Sequence, residues 1–354
     1  MAVKAQEILD WYDHHARDMP WRVSPQDSKS GVKPDPYHVW LSEIMLQQTT
    51  VATVRDYFLK FLRNWPSVHD LAAADDDAVM AAWAGLGYYA RARNLLRCAR
   101  VISKTYKGVF PTDEAELLKL PGIGPYTAAA IASIAFDQPA TVLDGNVERV
   151  MSRLFLVEEV LPKSKPTLRE LAKSLTPDAR AGDYAQAVMD LGATICKSRN
   201  PICGDCPWRT GCRAYAENRM EELPKKAAKK AKPVRFGTVY IAQIGSDVLV
   251  ERRDEKGLLG GMYGWPGSAW QEETPITTPP FEADWVVLPE TVIHVFTHFK
   301  LELTVATSCS NAPAERFDNF HCRDIDIVEA MPTVMRKAWK LAQKHQKQTE
   351  TRNA

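Results

Sequence analysis

The chain has 354 residues, with 45 Lys+Arg against 44 Asp+Glu and seven cysteines, a length that exceeds one comfortable core and sets two domains as the expectation. The even charge leaves any nucleic-acid contact to a local patch rather than to bulk attraction. MAVKAQEILDWYDHHAR carries acids early and no apolar core run, and apolar runs such as Thr127 to Phe136 fall short of the roughly 20 residues that span a bilayer, so the expectation is a soluble, cytoplasmic protein without a membrane partner.

In chain order, Ala5 to Ala16 has Ile8, Leu9, Trp11 and Tyr12 at helical spacing. Met19-Pro20-Trp21-Arg22 follows, and then a polar loop from Val23 to Asp35 whose composition offers nothing catalytic. Asp35 before Pro36 reads as an N-cap with proline in the first turn, opening a helix through YHVWLSEIMLQQT. On it Tyr37, Trp40, Leu41, Ile44 and Gln48 share a face, and Glu43 lies three residues from both Trp40 and Leu46. A carboxyl among apolar and aromatic groups loses hydration when it ionises. Its pKa is therefore expected to rise, which suits a general acid near neutral pH.

Leu59 to Val79 reads as helices around a solvated acidic turn, Asp75 to Asp77. Next comes AGLGYYARARN, from Ala84 to Asn94. Gly85 and Gly87 allow a tight loop, while Tyr88, Tyr89, Arg91 and Arg93 set aromatic faces beside guanidinium groups, the mixture that stacking on bases and neutralising phosphates requires.

From Leu120 to Arg149 a short apolar-periodic run meets Pro121-Gly122-Ile123-Gly124-Pro125, and an alanine-rich run from Tyr126 to Phe136 follows. That is helix, tight hairpin, helix, with Gly122 and Gly124 expected to take left-handed dihedrals and to bring backbone N–H groups up to a phosphate. After Pro139, Thr141-Val142-Leu143 leads to Asp144-Gly145-Asn146 and a helix from Val147. Asp144 thus sits at a helix N-terminus, where the dipole is expected to hold it ionised.

Helical pattern resumes from Lys165 to Ala193 and runs into Cys196-x6-Cys203-x2-Cys206-x5-Cys212. Four thiolates this close, with Pro201, Gly204, Pro207 and Gly211 letting the backbone wrap, can enclose one metal centre, and composition does not separate an iron–sulfur cluster from zinc. Lys197, Arg199, Arg209 and Arg213 add positive charge around it. Pro224 to Pro233 then has five lysines and no acid, as a tether would. From Arg235 the pattern is strand-like, at Thr238 to Ile241, Val248 to Val250, Val292 to Val295 and Phe299 to Val305, before a helix from Val334 to Gln343. The expected organisation is a helical region at 1–222, a linker at 223–234, an α/β domain at 235–345 and a disordered tail at 346–354.

Together these strings resemble the MutY-type adenine DNA glycosylases of the helix-hairpin-helix superfamily. L-P-G-x-G-x-Y-T-A with V-L-D-G-N-V, WLSEIMLQQT and AGLGYYARARN carry the likeness, and the six-two-five cysteine spacing resembles the [4Fe-4S] loop of that superfamily, here 196–212. ERRDEKGLLGGMYGWPG, residues 251–267, resembles the second strand and loop of their C-terminal Nudix-like domain, although a glutamate-rich Nudix box for magnesium and diphosphate cleavage is not visible. The likeness implies a mainly α region of two helical subdomains, one carrying the iron–sulfur loop, followed by an α/β Nudix-like domain.

The resemblance also implies a monomeric base-excision enzyme that removes adenine opposite 8-oxoguanine or guanine in double-stranded DNA. By it, Glu43 protonates adenine and Asp144 stabilises the sugar cation, with Tyr126 and Asn146 on the Asp144 side, while Trp21, Arg22, Leu46 and Gln186 line the adenine pocket. Gln48 and Tyr88 would wedge into the base stack, with Arg91, Gly122 and Gly124 also at the DNA. Phe296, Thr297 and His298 stand where these enzymes usually carry Phe-Ser-His to inspect 8-oxoguanine. Tyr126 stands where bifunctional relatives carry a Schiff-base lysine, which implies a monofunctional enzyme. The alternatives are an endonuclease III-like lyase, which Tyr126 and the second domain oppose, and a non-catalytic damage-binding protein, which the presence of Glu43 and Asp144 opposes.

Overall fold

The computed structural model describes residues 3–228, 231–254, 257–275, 278–309 and 320–353, and the chain divides into two compact units, one formed by 1–74 and 94–229 and the other by 75–93 and 230–354. The second unit therefore takes in a segment, 75–93, that the sequence reading assigned to the helical region. Among the described residues no helix is long and apolar enough to cross a membrane.

The first unit is helical: α1 (Ala5–His15), α2 (Pro25–Lys29), α3 (Pro36–Leu46), α4 (Val51–Asn64) and α5 (Val68–Ala73) precede the excursion into the second unit. There α6 (Asp76–Trp83) and the start of α7 (Ala90–Thr105) lie, before α8 (Glu114–Leu117), α9 (Pro125–Phe136), α10 (Gly145–Phe155), α11 (Lys165–Leu175), α12 (Ala181–Thr194) and α13 (Arg213–Ala216). Polar caps set these boundaries. Asp35 accepts from the Tyr37 N–H, Thr50 from Thr53, Asp113 from Glu116 and Asp144 from Asn146 and Val147. The loop expected from Val23 to Asp35 contains α2, because Ser24 accepts from Asp27 N–H and Pro25 presets the first turn.

Helix α9 is buried along nearly its whole length, from Thr127 to Ala135, and packs on α3 and α12. Its alanines allow that close approach. At the crossing with α12, a Cβ on Gly182 would lie 2.6 Å from Ser133 O, and further along α12 a Cβ on Gly192 would lie 2.6 Å from Asn146 Cβ, so α12 runs tightly against both neighbours.

In the second unit, β1 (Val234–Ile244), β2 (Asp247–Arg252), β3 (Tyr263–Gly264), β4 (Val286–Val287), β5 (Val292–Val295), β6 (Lys300–Cys309) and β7 (His321–Asp324) form one sheet. The order is β3-β2-β1-β6-β4, with β5 also on β6 and β7 on β2. β1 and β6 run parallel from Val234 against Lys300 to Gln243 against Cys309, and the other pairs are antiparallel. Helices α14 (Ile327–Ala330) and α15 (Thr333–Asn353) follow. The apolar face of the sheet, including Val239, Val250, Leu301 and Val305, packs with Met335, Ala338 and Trp339 of α15 around Trp265, whose ring stacks on Trp339 at 5.6 Å and donates to Met335 O at 2.9 Å.

Two boundaries differ from expectation. The first residues of the expected linker are docked in the first unit: Leu161 N–H donates to Lys225 O, and the Lys225 ammonium pairs with Glu158 at 3.0 Å; Lys229 and Lys230 lie outside the described residues. The tail expected from 346 onward continues α15 to Asn353, with no proline or glycine in its sequence to break the helix.

Candidate active site

Helices α3, α9 and α12, with the turn that opens α10, enclose a cavity of about 950 Å3 in the first unit, and both Glu43 and Asp144 line it. Glu43 is 5% exposed, and the Tyr126 hydroxyl donates to its Oε2 at 2.6 Å. Burial pushes the Glu43 carboxyl up to about 7; the Tyr126 hydrogen bond and the Arg22 cation oppose this, and the Asp144 charge adds to it. With Oε2 held by the phenol, the proton of the neutral acid belongs on Oε1.

Asp144 is held differently. Its Oδ1 accepts from the backbone N–H groups of Asn146 and Val147 at 2.9 and 2.7 Å, and its Oδ2 accepts from Asn146 Nδ2 at 2.9 Å. The expectation that the helix terminus holds it ionised meets an opposing effect, desolvation. Burial moves the carboxyl above its ordinary value, while Val147, the Asn146 side chain and N–H, and Arg149 pull it back. Three N–H donors on two oxygens are nonetheless partners for a carboxylate rather than an acid.

Trp21, Arg22, Leu46 and Gln186 all line the same cavity. Trp21 packs edge-on to Phe58 at 5.3 Å, Gln186 Nε2 donates to Gly182 O at 3.3 Å, and the Arg22 guanidinium reaches Asp190 Oδ2 at 2.8 Å. Gln48, Gly122 and Gly124 lie on the lining too. Gln48 is not on the face of α3, which ends at Leu46; it is exposed in a left-handed turn at φ +58°. Of the two hairpin glycines only Gly122 is left-handed, at φ +76°, where a Cβ would also lie 2.7 Å from Asn94 Cβ. Gly124, at φ −98°, is extended and caps α9 without a side-chain acceptor.

The four cysteines surround a separate small cavity with Arg153, Ile195, Arg209, Tyr215 and Met220. Arg153, 1% exposed, donates to Cys196 Sγ at 3.3 Å, to Lys197 O at 2.7 Å and to Leu223 O at 3.1 Å, so a buried cation faces the thiols. Trp208 Nε1 donates to Lys4 O at 3.0 Å and ties the cysteine loop to the chain start. Among the described residues no three His, Cys, Asp or Glu side chains converge tightly enough to hold a single ion.

In the second unit the structure joins two residues far apart in sequence. The hydroxyls of Tyr88 and Thr297 lie 2.7 Å apart, both residues are exposed, and Tyr88 is left-handed at φ +46°. His298 is exposed beside them in sequence. Phe296 instead turns inward, its ring packed on His294, Phe299 and Trp270 at 4.5, 4.8 and 5.6 Å. Arg91 also differs from expectation. Its guanidinium lies 5.4 Å from both the Trp83 and Tyr88 rings and donates to Leu86 O at 2.9 Å, bracing the loop.

Sequence reasoning missed Asp190, Arg149 and Arg153. Arg149 donates to Asn146 Oδ1, Gly192 O and Cys196 O at 3.0, 2.6 and 2.7 Å. Their spacing of four on the helix that Asp144 opens is the signal that puts both arginines on one face; nothing local marked Asp190.

Comparison with known proteins finds two matched domains. A model of the HhH-GPD superfamily base excision DNA repair proteins matches residues 41–177, and a NUDIX domain model matches residues 237–341. The adenine DNA glycosylase of Mus musculus is 32% identical, with 97% of this chain and 78% of that protein covered. That of Arabidopsis thaliana is 38% identical over 77% of this chain, which spans about half, 48%, of the relative's length. Among solved structures, a thermostable thymine-DNA glycosylase is 30% identical with a TM-score of 0.53, covering 60% of this chain and 95% of that one. A buried acid and a capped carboxylate on one cavity, both within the HhH-GPD match, and 32% identity along nearly the whole chain make this protein a member of the adenine DNA glycosylase family.

Proposed function

We propose that the chain removes adenine mispaired with 8-oxoguanine or guanine in duplex DNA and leaves an abasic site without cutting the strand. The observation that carries this reading is the presence of Glu43 and Asp144 on one cavity, Glu43 buried and accepting from the Tyr126 hydroxyl, Asp144 accepting from three N–H groups.

Cleaving an N-glycosidic bond requires a better leaving group and a stabilised sugar cation. Neutral Glu43 donates its proton to N7 of the extruded adenine, and carboxylate Asp144 stabilises the positive charge that develops at the sugar. Trp21, Leu46, Arg22 and Gln186 form the wall for the base. Tyr126 keeps Glu43 oriented and, being a phenol, offers no amine for a Schiff base; Lys165, which also lines the cavity, is paired with Glu148 at 2.8 Å. Gln48, Gly122, Gly124 and the Tyr88–Thr297–His298 surface are the proposed DNA contacts, the last of these reading the base opposite adenine.

Cys196, Cys203, Cys206 and Cys212 are the proposed ligands of a [4Fe-4S] cluster. Four thiols around one cavity, faced by the Arg153 guanidinium, match the donor set and the negative charge of such a group. The cluster would supply structural cross-linking of the loop rather than a chemical step. A brown protein absorbing in the visible blue is the expected result, and a colourless protein holding one zinc would replace this assignment.

Single-turnover assays on duplexes with adenine opposite 8-oxoguanine, using wild type, Glu43→Gln and Asp144→Asn, test the chemistry. Loss of base release in both variants is expected. Undiminished release in both would remove the mechanism, and strand nicking without alkali would remove the monofunctional reading.

A further inference from the structure

Asp190, near the end of α12, is wholly buried, and nothing in the reaction above assigns it a task. It clamps two guanidinium groups. Arg17 Nε and Nη2 reach its Oδ1 at 2.7 and 2.6 Å, Arg17 N–H reaches its Oδ2 at 3.0 Å, and Arg22 Nη1 reaches Oδ2 at 2.8 Å. The two arginines differ in setting. Both line the cavity, but the Arg22 side chain is 9% exposed and that of Arg17 is 29% exposed.

A buried guanidinium beside a general acid has two effects. It offers N–H donors to the base in the cavity, and its charge favours the ionised acid, which cannot donate. A carboxylate on its far side reduces the second effect while fixing the first. We propose that Asp190 is a positioning residue for base excision: it fixes the Arg22 guanidinium in the wall of the adenine cavity and tempers the field that Arg22 exerts on Glu43. Arg17 competes for the same carboxylate and sets how much of its charge Arg22 receives. This inference rests on Glu43 being the acid of the proposed reaction.

The charged and titratable groups around Glu43 are consistent with that role. Tyr126 comes from α9, Asp144 from the turn before α10 and Arg22 from the segment before α2; Arg22 opposes the rise of the Glu43 carboxyl, and Asp190 is the strongest charge partner of Arg22. Glu148 and Lys165, which line the same cavity, pair with each other at 2.8 Å.

The sign of each perturbation follows. Asp190→Asn removes the counter-charge, exposes Glu43 to more of the Arg22 field, and moves the titration of Glu43 to lower pH. Arg17→Gln frees the Asp190 carboxylate for Arg22 alone and moves it to higher pH. Asp190→Glu restores the charge at altered reach and returns the titration toward wild type.

The test uses the full chain and two readouts. Carboxyl stretching bands in infrared difference spectra, assigned by their loss in Glu43→Gln, follow Glu43 without DNA; single-turnover base release against pH follows it in the reaction. Displacements of about half a pH unit or more, opposite in Asp190→Asn and Arg17→Gln, are expected. A Glu43 titration that stays in place in both variants, or moves the same way in both, overturns the proposal, even where base release falls through lost packing. A titration that moves as stated while Glu43→Gln still releases adenine would sink the acid role of Glu43 instead. If Asp190→Asn does not fold, Arg17→Gln alone decides, since its shift to higher pH has no purely structural counterpart.

Discussion

Tyr126→Phe separates two jobs that one hydroxyl does. In the native site the phenol donates to Glu43 Oε2 at 2.6 Å, a contact that favours the carboxylate, and burial still leaves the acid at about 7. In the proposed mechanism the active form is protonated, so base release should be nearly full at pH 6, half at pH 7 and about a tenth at pH 8. A hydrogen bond to a charged group is worth about 1.5–3 kcal/mol, and each pKa unit about 1.4 kcal/mol, so deleting the hydroxyl should carry the alkaline limb up by about one pH unit or more. At pH 8 roughly half of Glu43 would then be protonated, and the ratio of rates at pH 8 and pH 6 should rise about five-fold. The plateau rate should fall as well, because the hydroxyl that held Oε2, and so oriented the carboxyl, is gone. Single-turnover base release from pH 5.5 to 9 measures both quantities. A limb that stays in place, or moves to lower pH, would refute the view that burial and one phenol set the acidity of Glu43.

Three other outcomes follow from the packing. Gly122→Ala demands a left-handed alanine whose Cβ lies 2.7 Å from Asn94 Cβ; it should cost about 1–3 kcal/mol in urea unfolding and weaken duplex binding in a gel-shift titration. Arg153→Met leaves the Leu223 and Lys197 carbonyls and a cysteine thiol without their buried donor, and should lower stability by about 3 kcal/mol or more and reduce the visible absorbance of the purified protein. Trp265→Ala opens a cavity between the sheet and α15 and should cost about 3–5 kcal/mol in the unfolding of the second unit, followed by near-ultraviolet circular dichroism, with little change in the first.

Much of this architecture was legible in the chain because its signals are local. Asp35-Pro36, Pro121 to Pro125 and Asp144-Gly145-Asn146 place helix ends by capping and proline geometry alone, and the four cysteines declare themselves by spacing. Glu43 was legible as a perturbed acid because its apolar neighbours on α3 also bury it in the fold. What could not be read depends on contacts distant in sequence. Arg22 and Asp190 are 168 residues apart, and Tyr88 and Thr297 are 209 apart. The rise in the Asp144 carboxyl comes from burial that its own turn does not reveal, and Arg91 turns inward because Trp83 and the Leu86 carbonyl capture it. β7, His321–Asp324, escaped notice because a strand of His, Cys, Arg and Asp lacks apolar alternation and is defined by its pairing with β2.

The segment from Asp75 to Arg93 is encoded inside the helical half yet finds its companions in the other unit: Asp77 with Arg252 at 3.5 Å, Arg93 with the Gly260 carbonyl, Tyr88 with Thr297, and α6 with α14. A gene trimmed at the lysines would thus strand nineteen residues without the neighbours that shape them. The fragment so made would be a poor stand-in for the intact enzyme at Tyr88. Point substitution at these contacts, not scission, is the way to dissect them.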